Sequence, residues 1–213
     1  AAELQRVRDT WGPQAVFGGS YGWSSAGRFH HAQSQVHRFL NTTLGGYVRS
    51  VNSYSAGASA VILPHILGNY DDVTRRNVSW DDIVTTTEII LSFGGMATKN
   101  SRVASGGITE HIEGPSMAAA HARGARFVLV SPLRSDLPDA AGAEWFSINP
   151  GTDTALMLAL THVLVADGKH DLNFLETYCT GWDQFEPYLM GRSDGVPKNP
   201  AWASAIWLRW GSL

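Results

Sequence analysis

Residues 88–95, Glu88-Ile89-Ile90-Leu91-Ser92-Phe93-Gly94-Gly95, form a short, nearly unbroken apolar run that stops at a glycine pair. Such a run, without polar alternation, is the pattern of a strand covered on both faces, as in a parallel sheet, and the glycines mark its exit into a turn. Residues 126–130, RFVLV, repeat the pattern and end at Ser131-Pro132; residues 144–148, EWFSI, repeat it before Asn149-Pro150-Gly151. Between and after these runs the period changes. MAAAHAR reads as a helix that Ser116 caps and Gly124 ends, and NPGTD opens the longest helix, over residues 154–165. Strands alternating with helices predict an α/β fold, a mostly parallel sheet flanked by helices. Such sheets bind ligands outside the C-terminal ends of their strands, where these glycine-rich and proline-containing turns fall.

Toward the N-terminus, Ala15-Val16-Phe17 predicts a strand that runs into GGSYGWSSAG, and Phe29, Ala32, Val36, Phe39 and Leu40 then recur at helical spacing. A helix is expected over residues 58–67, kinked or interrupted at Pro64, which puts Ser55 just before its N-terminus. Residues 80–86 predict a short helix, and smaller helices are expected over residues 171–177, 183–190 and 200–208. The opening AAELQRVRDTWG reads as the end of an amphipathic helix, as though the chain starts partway through a larger protein.

The chain has 213 residues, of which 44% are hydrophobic and 16% charged, enough to bury a core and too apolar for a disordered segment. A net charge of -3 gives no field for displacing counterions from nucleic acid, so no nucleic-acid partner is expected. No apolar stretch approaches the roughly 20 residues of a spanning helix, and no membrane span is expected. The single cysteine, Cys179, excludes an internal disulfide and a cysteine-bound iron–sulfur cluster within these residues. With no histidine or lysine beside it in sequence, it reads as a buried, inert thiol.

Gly18-Gly19-Ser20-Tyr21-Gly22 fits the G-x-S-x-G pattern of a nucleophile elbow, although the following helix starts several residues late. Hydrolase partners for Ser20 would be Asp153 and His162, both inside one helix. His30, His31, His37 and His65 lack the spacing and the completing carboxylate or cysteine of a zinc site and read as surface or core histidines. A G-x-G-x-x-G fingerprint is absent, which disfavours a simple nicotinamide-dinucleotide enzyme. Strand-end turns with Lys99, Arg134 and Asp153 nearby nevertheless suit a phosphate and a purine: cations and backbone N–H groups hold the former, and a carboxylate can accept from a guanine amino and ring N–H pair.

The stretch GGSYGWSSAGRFHHAQSQVHRFLNTTLGGYVRSVNSYSAGASAVILPHILG resembles the dimethyl sulfoxide, trimethylamine N-oxide and biotin sulfoxide reductases, which are bis-molybdopterin guanine dinucleotide enzymes. The likeness continues in order through LSFGGMATKN, RFVLVSPLRSD, NPGTDTALMLALTHVL, FLETYCTGWDQFEPYLMGRSDGVPK and PAWASAI, up to Ile206. It implies that Ser55, after Tyr54, ligates molybdenum, and that Tyr21 and Trp23 face the metal-bound oxygen as phenol and indole donors. An alkoxide is a hard ligand suited to a high-valent metal. By the same resemblance Trp23 also borders the cofactor, Lys99 lies near the pterin, and Ser131, Pro132, Arg134, Gly151 and Asp153 hold the guanosine end. The implied chemistry is oxygen-atom transfer from a small-molecule S-oxide or N-oxide, with electrons from a donor protein or a reduced nucleotide. The protein positions and tunes the cofactor.

The resemblance divides the chain into a metal-ligand part over about residues 1–90 and a guanosine-binding α/β part over about residues 88–206. Members of that family are several times longer, so this chain is expected to be a fragment, and whether it binds cofactor or is active by itself is left open. The final WLRWGSL departs from the family pattern after Ala205 and reads as an atypical tail from residue 207, as from a truncated or shifted reading frame. The compartment, bacterial periplasm or cytoplasm, is left open, as are a hydrolase-like or nucleotide-binding domain using the Ser20 turn and a non-catalytic fragment.

Overall fold

The computed structural model describes residues 1–19, 28–51, 55–75, 77–102 and 110–210. The chain divides into two compact units, the first made of residues 1–87 and 97–124, the second of residues 88–96 and 125–213.

In the first unit α1 (Ala2–Trp11) and α2 (Ala32–Leu44) pack their apolar stripes around Val16, Leu40 and Leu44, with Leu4, Val7, Val36 and Tyr47 against them. The segment expected as a strand at Ala15-Val16-Phe17 is instead a 3-10 turn, Pro13–Ala15, followed by one parallel bridge between Phe17 and Val48. Pro13 sets the turn, and the pairing extends only as far as Val48 N–H to Val16 and Gly18 N–H to Val48. α2 starts at Ala32, after a separate 3-10 turn at Arg28–His30.

α3 (Gly57–Leu67) runs through Pro64 and buries none of its residues, although it is apolar nearly all round. α4 (Tyr70–Arg75), which the sequence did not announce, follows. The hydroxyl of Ser79 accepts the Asp82 N–H at 3.1 Å and so caps α5 (Trp80–Thr86). α6 (Glu113–Arg123) begins earlier than MAAAHAR. Ser116 does not cap it, because its N–H already donates to Ile112 within the helix. Pro115 is tolerated there because a helix's first N–H groups need no intrahelical acceptor. Arg123 donates to the carbonyls of Val84 and Thr87, which joins α6 to the end of α5.

The second unit holds the sheet: β1 (Ile89–Phe93), β2 (Arg126–Val130) and β3 (Glu144–Phe146), parallel, in the order β1-β2-β3. The expected α/β class is therefore found. Ile89 pairs with Arg126 and Phe93 with Val130, while Val128 pairs with Glu144 and Val130 with Phe146. Phe127, Leu129 and Val130 are buried, and each contributes about 2 kcal/mol through the apolar surface it removes from water. β3 is shorter than expected, since Ser131 N–H takes the Phe146 carbonyl and the chain then turns away. β1 is not covered as its sequence predicts: Ile89 is 56% and Leu91 46% exposed.

α7 (Asp153–Ala166), α8 (Leu172–Tyr178), α9 (Trp182–Leu189) and α10 (Pro200–Trp210) complete this unit. α7 buries Ala155 and Ala159 and packs against α10. α10 continues through Trp207 into the segment that reads as an atypical tail. Cys179, expected to be buried, is exposed, because α8 buries none of its residues and Cys179 forms its C-terminal end. Among the described residues no helix is long and apolar enough to cross a membrane.

Candidate cofactor site

The C-terminal ends of the three strands are tied into one rim. Gly94 and Gly95 turn the chain out of β1 at φ 75° and 85°, and Met96 N–H then donates to the Asp136 carbonyl at 2.8 Å. Gly95 lies so close to the Asp136 backbone that a Cβ there would sit 2.5 Å from its carbonyl oxygen. Asp136 in turn accepts the Ser131 hydroxyl through its carboxylate. Ser131, at the end of β2, takes the Trp145 indole N–H on its carbonyl at 2.8 Å and donates its own N–H to Phe146 at 3.2 Å. One buried serine thus joins β2 to both neighbouring exits, with no exposed surface of its own.

Ser131 was expected beside a ligand. Its hydroxyl is used inside the loop, where it also accepts the Leu133 N–H at 3.3 Å, so what it shapes is the loop that carries Pro132 and Arg134. Both of those residues are exposed, and Arg134 makes no hydrogen bond or ion pair among the described residues. Its side chain lines a polar hollow of about 490 Å³ with Asp139, Leu137 and Trp145. Trp145 and Asp136 hold this rim together, and the sequence reading missed both. The acid at the end of SPLRSD, five residues after Ser131, is the one signal that could have found the pair.

After β3 the chain reaches Asn149-Pro150-Gly151-Thr152. Gly151, at φ 80°, turns it into α7, and a Cβ there would meet nothing within 4 Å. Thr152 is buried and stands at the cap position, but its hydroxyl donates backward to the Asn149 carbonyl at 2.8 Å and caps nothing. Asn149 ties the loop to α10 by donating to the Trp207 carbonyl at 2.9 Å. Asp153 is the first residue of α7 and is half-buried. Its carboxylate accepts no hydrogen bond among the described residues, so it is not the cap of its own helix. It stands on the first turn of α7, at the end where helix N–H groups lack intrahelical acceptors.

In the first unit Ser55 is exposed in the turn that leads into α3. Lys99 is exposed in a 3-10 turn, Thr98–Asn100, and makes no ion pair among the described residues. Tyr21, Trp23, Ser20 and Tyr54 lie outside the described residues. Asp153 and His162 sit on α7 nine residues apart, about 13 Å along the helix, too far to share a hydrogen bond in a triad. His37 packs against Tyr47 with ring centres 5.4 Å apart, as a core histidine would. Among the described residues no group of three or more His, Cys, Asp or Glu side chains could hold a metal.

The molybdopterin oxidoreductase family model matches residues 1–197. The chain is 40% identical over 206 residues to the dimethyl sulfoxide/trimethylamine N-oxide reductase of Rhodobacter capsulatus, an alignment covering 97% of this chain and 25% of that protein. It is 41% identical over 206 residues to the biotin sulfoxide reductase of Cereibacter sphaeroides, covering 97% and 28%. With the trimethylamine-N-oxide reductase of Haemophilus influenzae the identity is 38% over 204 residues, covering 96% and 24%. The chain therefore spans about a quarter of the length of these relatives.

Proposed function

This chain belongs to the molybdopterin oxidoreductase family, and from that premise we propose that it is the metal-ligating and guanosine-holding portion of an S-oxide or N-oxide reductase. The observation that carries the reading is Asp153: a half-buried carboxylate at a strand-end turn, bonded to nothing among the described residues and not capping its helix. Such a group suits the ring N–H and amino donors of guanine, one on each oxygen. The guanidinium of Arg134, unpaired among the described residues, suits a diphosphate, and Lys99 supplies a second cation for the pterin end.

In this proposal the cofactor is molybdenum held by molybdopterin guanine dinucleotide, two per metal, with Ser55 as the protein ligand and Tyr21 and Trp23 as donors to the oxide oxygen. The residues present fit such a group, in having Ser55 in an exposed turn and, on the strand-end loops, charges of both signs that make no ion pair among the described residues. When bound, the molybdenum centre supplies two-electron chemistry: a sulfoxide, two electrons and two protons give a sulfide and water. The chain's own contribution is to anchor the nucleotide, orient the oxide through N–H and O–H donors, and hold the metal through Ser55. Electrons come from a donor protein or a reduced nucleotide. The relatives' names support the substrate class, for they are reductases of dimethyl sulfoxide, trimethylamine N-oxide and biotin sulfoxide.

The test is metal and guanine analysis of the chain and of a reductase-length protein that carries it in place of the aligned quarter, each with Ser55→Ala alongside. Molybdenum and guanine at reductase length, with Ser55→Ala altering the metal's spectrum and abolishing sulfoxide reduction, is the expected result. Absence of both from the full-length protein overturns the proposal.

A further inference from the structure

Arg134 rides on a loop that has no core of its own. Pro132, Leu133, Arg134 and Ser135 are all exposed, Leu133 by 60%, so apolar burial does not fix the course of the chain there. A set of hydrogen bonds fixes it instead. The Ser131 hydroxyl donates to the Asp136 carboxylate and closes residues 132–135 into a ring, inside which Leu133 N–H donates to the Ser131 hydroxyl oxygen at 3.3 Å and Asp136 N–H to the Leu133 carbonyl at 3.2 Å. From outside, the Trp145 indole N–H holds the Ser131 carbonyl at 2.8 Å, and Met96 N–H holds the Asp136 carbonyl at 2.8 Å. Both ends of the loop are therefore pinned, one to β3 and the other to the exit of β1.

Among residues 132–135 these bonds shelter no apolar side chain; what they present is Arg134. Its guanidinium makes no ion pair among the described residues, not even with Asp139, which lines the same polar hollow. A guanidinium that takes two phosphate oxygens side by side must be held in both position and angle, because the fork tolerates little misplacement. We infer that Trp145 and Asp136 are positioning residues for Arg134: by pinning the two ends of its loop they set where the guanidinium meets the diphosphate. The inference rests on the nucleotide-holding role proposed for Arg134 above, and adds two residues that act through the loop.

The rate at which guanine leaves the protein tests this, measured on a reductase-length protein that carries this chain in place of the aligned quarter. Arg134→Ala is expected to speed release about tenfold, the worth of one charge-assisted hydrogen bond. Asp136→Ala should speed it about threefold, as should Trp145→Phe, which removes the indole N–H and keeps a ring. Asp136→Asn keeps an oxygen acceptor for the Ser131 hydroxyl and stays near the native rate. Combined with Arg134→Ala, neither Asp136→Ala nor Trp145→Phe should add anything, since no guanidinium is left to aim. A merely structural role would instead multiply the release rate by the same factor with Arg134 or without it, and that result overturns the inference. So does unchanged release in both Asp136→Ala and Trp145→Phe while Arg134→Ala speeds it. Should Asp136→Ala fail to fold, Trp145→Phe carries the test alone. Release left unchanged by Arg134→Ala overturns the role proposed for that residue, and the positioning inference with it.

Discussion

The ammonium of Lys198 lies 2.6 Å from Oδ2 of Asp194, and the two ends of that bond have different surroundings: the lysine side chain is 3% exposed and the aspartate 39%. Lys198 also donates to the Tyr188 and Val196 carbonyls and sits 3.9 Å from the centre of the Tyr188 ring, so its charge is answered on several sides. The contact closes the loop between α9 and α10 on itself and ties it back to the end of α9.

Lys198→Met is therefore expected to destabilise the chain by about 2 kcal/mol, because it leaves carbonyl groups without a donor in a buried place. Urea denaturation measures this. An unchanged midpoint with an unchanged slope would show the lysine to be dispensable.

Acid should weaken the same staple. Hydrogen bonds from Lys198, first, and from the Val196 backbone hold the Asp194 carboxyl below the usual carboxylate range. A pKa lowered by folding gives stability that is present above the unfolded value, near pH 4, and is lost as pH falls through the folded value. The difference in stability between the native chain and Asp194→Asn should accordingly shrink as pH is lowered below about 4. A difference that stays constant to pH 2 would contradict the assignment.

Asp153→Asn separates a nucleotide-holding carboxylate from one that only favours its helix. If Asp153 accepts from guanine, the reductase-length protein should lose guanine from its purified form while its Tm changes little. A charge that serves only the N-terminus of α7 is worth about 0.5 kcal/mol, and its loss would lower Tm with guanine content intact.

Gly95→Ala is expected to cost about 2 kcal/mol or more. Its φ of 85° disfavours a side chain, and the added Cβ would meet backbone atoms of Asp136, which cannot rotate aside. Thermal denaturation of Gly95→Ala beside Gly94→Ala checks the argument. Both positions have positive φ, but only Gly95 is crowded, so equal losses would mean that conformation alone matters.

Much of the fold was legible because apolar runs and their punctuation are local. The three β-strands, the helix over Trp80–Thr86 and the αL end of α6 at Gly124 follow from residues close together in the chain. The misses have long-range causes. The Ala15-Val16-Phe17 run has strand composition, but no extended partner beyond Val48 sustains it. Cys179 looked buried by residue type, whereas burial is decided by what packs on α8. At the site, the charged residues were readable from their place beside strand ends. Trp145 was not, since its role lies in a hydrogen bond to Ser131 across the sheet.

The rim that joins Met96, Asp136, Ser131 and Trp145 bears on how tightly a ligand can be held there. Loops that must be ordered on binding subtract their lost freedom from the affinity, about 1 kcal/mol for each immobilised side chain. Here these loops are already fixed to one another before any ligand arrives. Folding has absorbed that entropy, and a nucleotide entering the strand ends would meet a surface whose shape it need not impose.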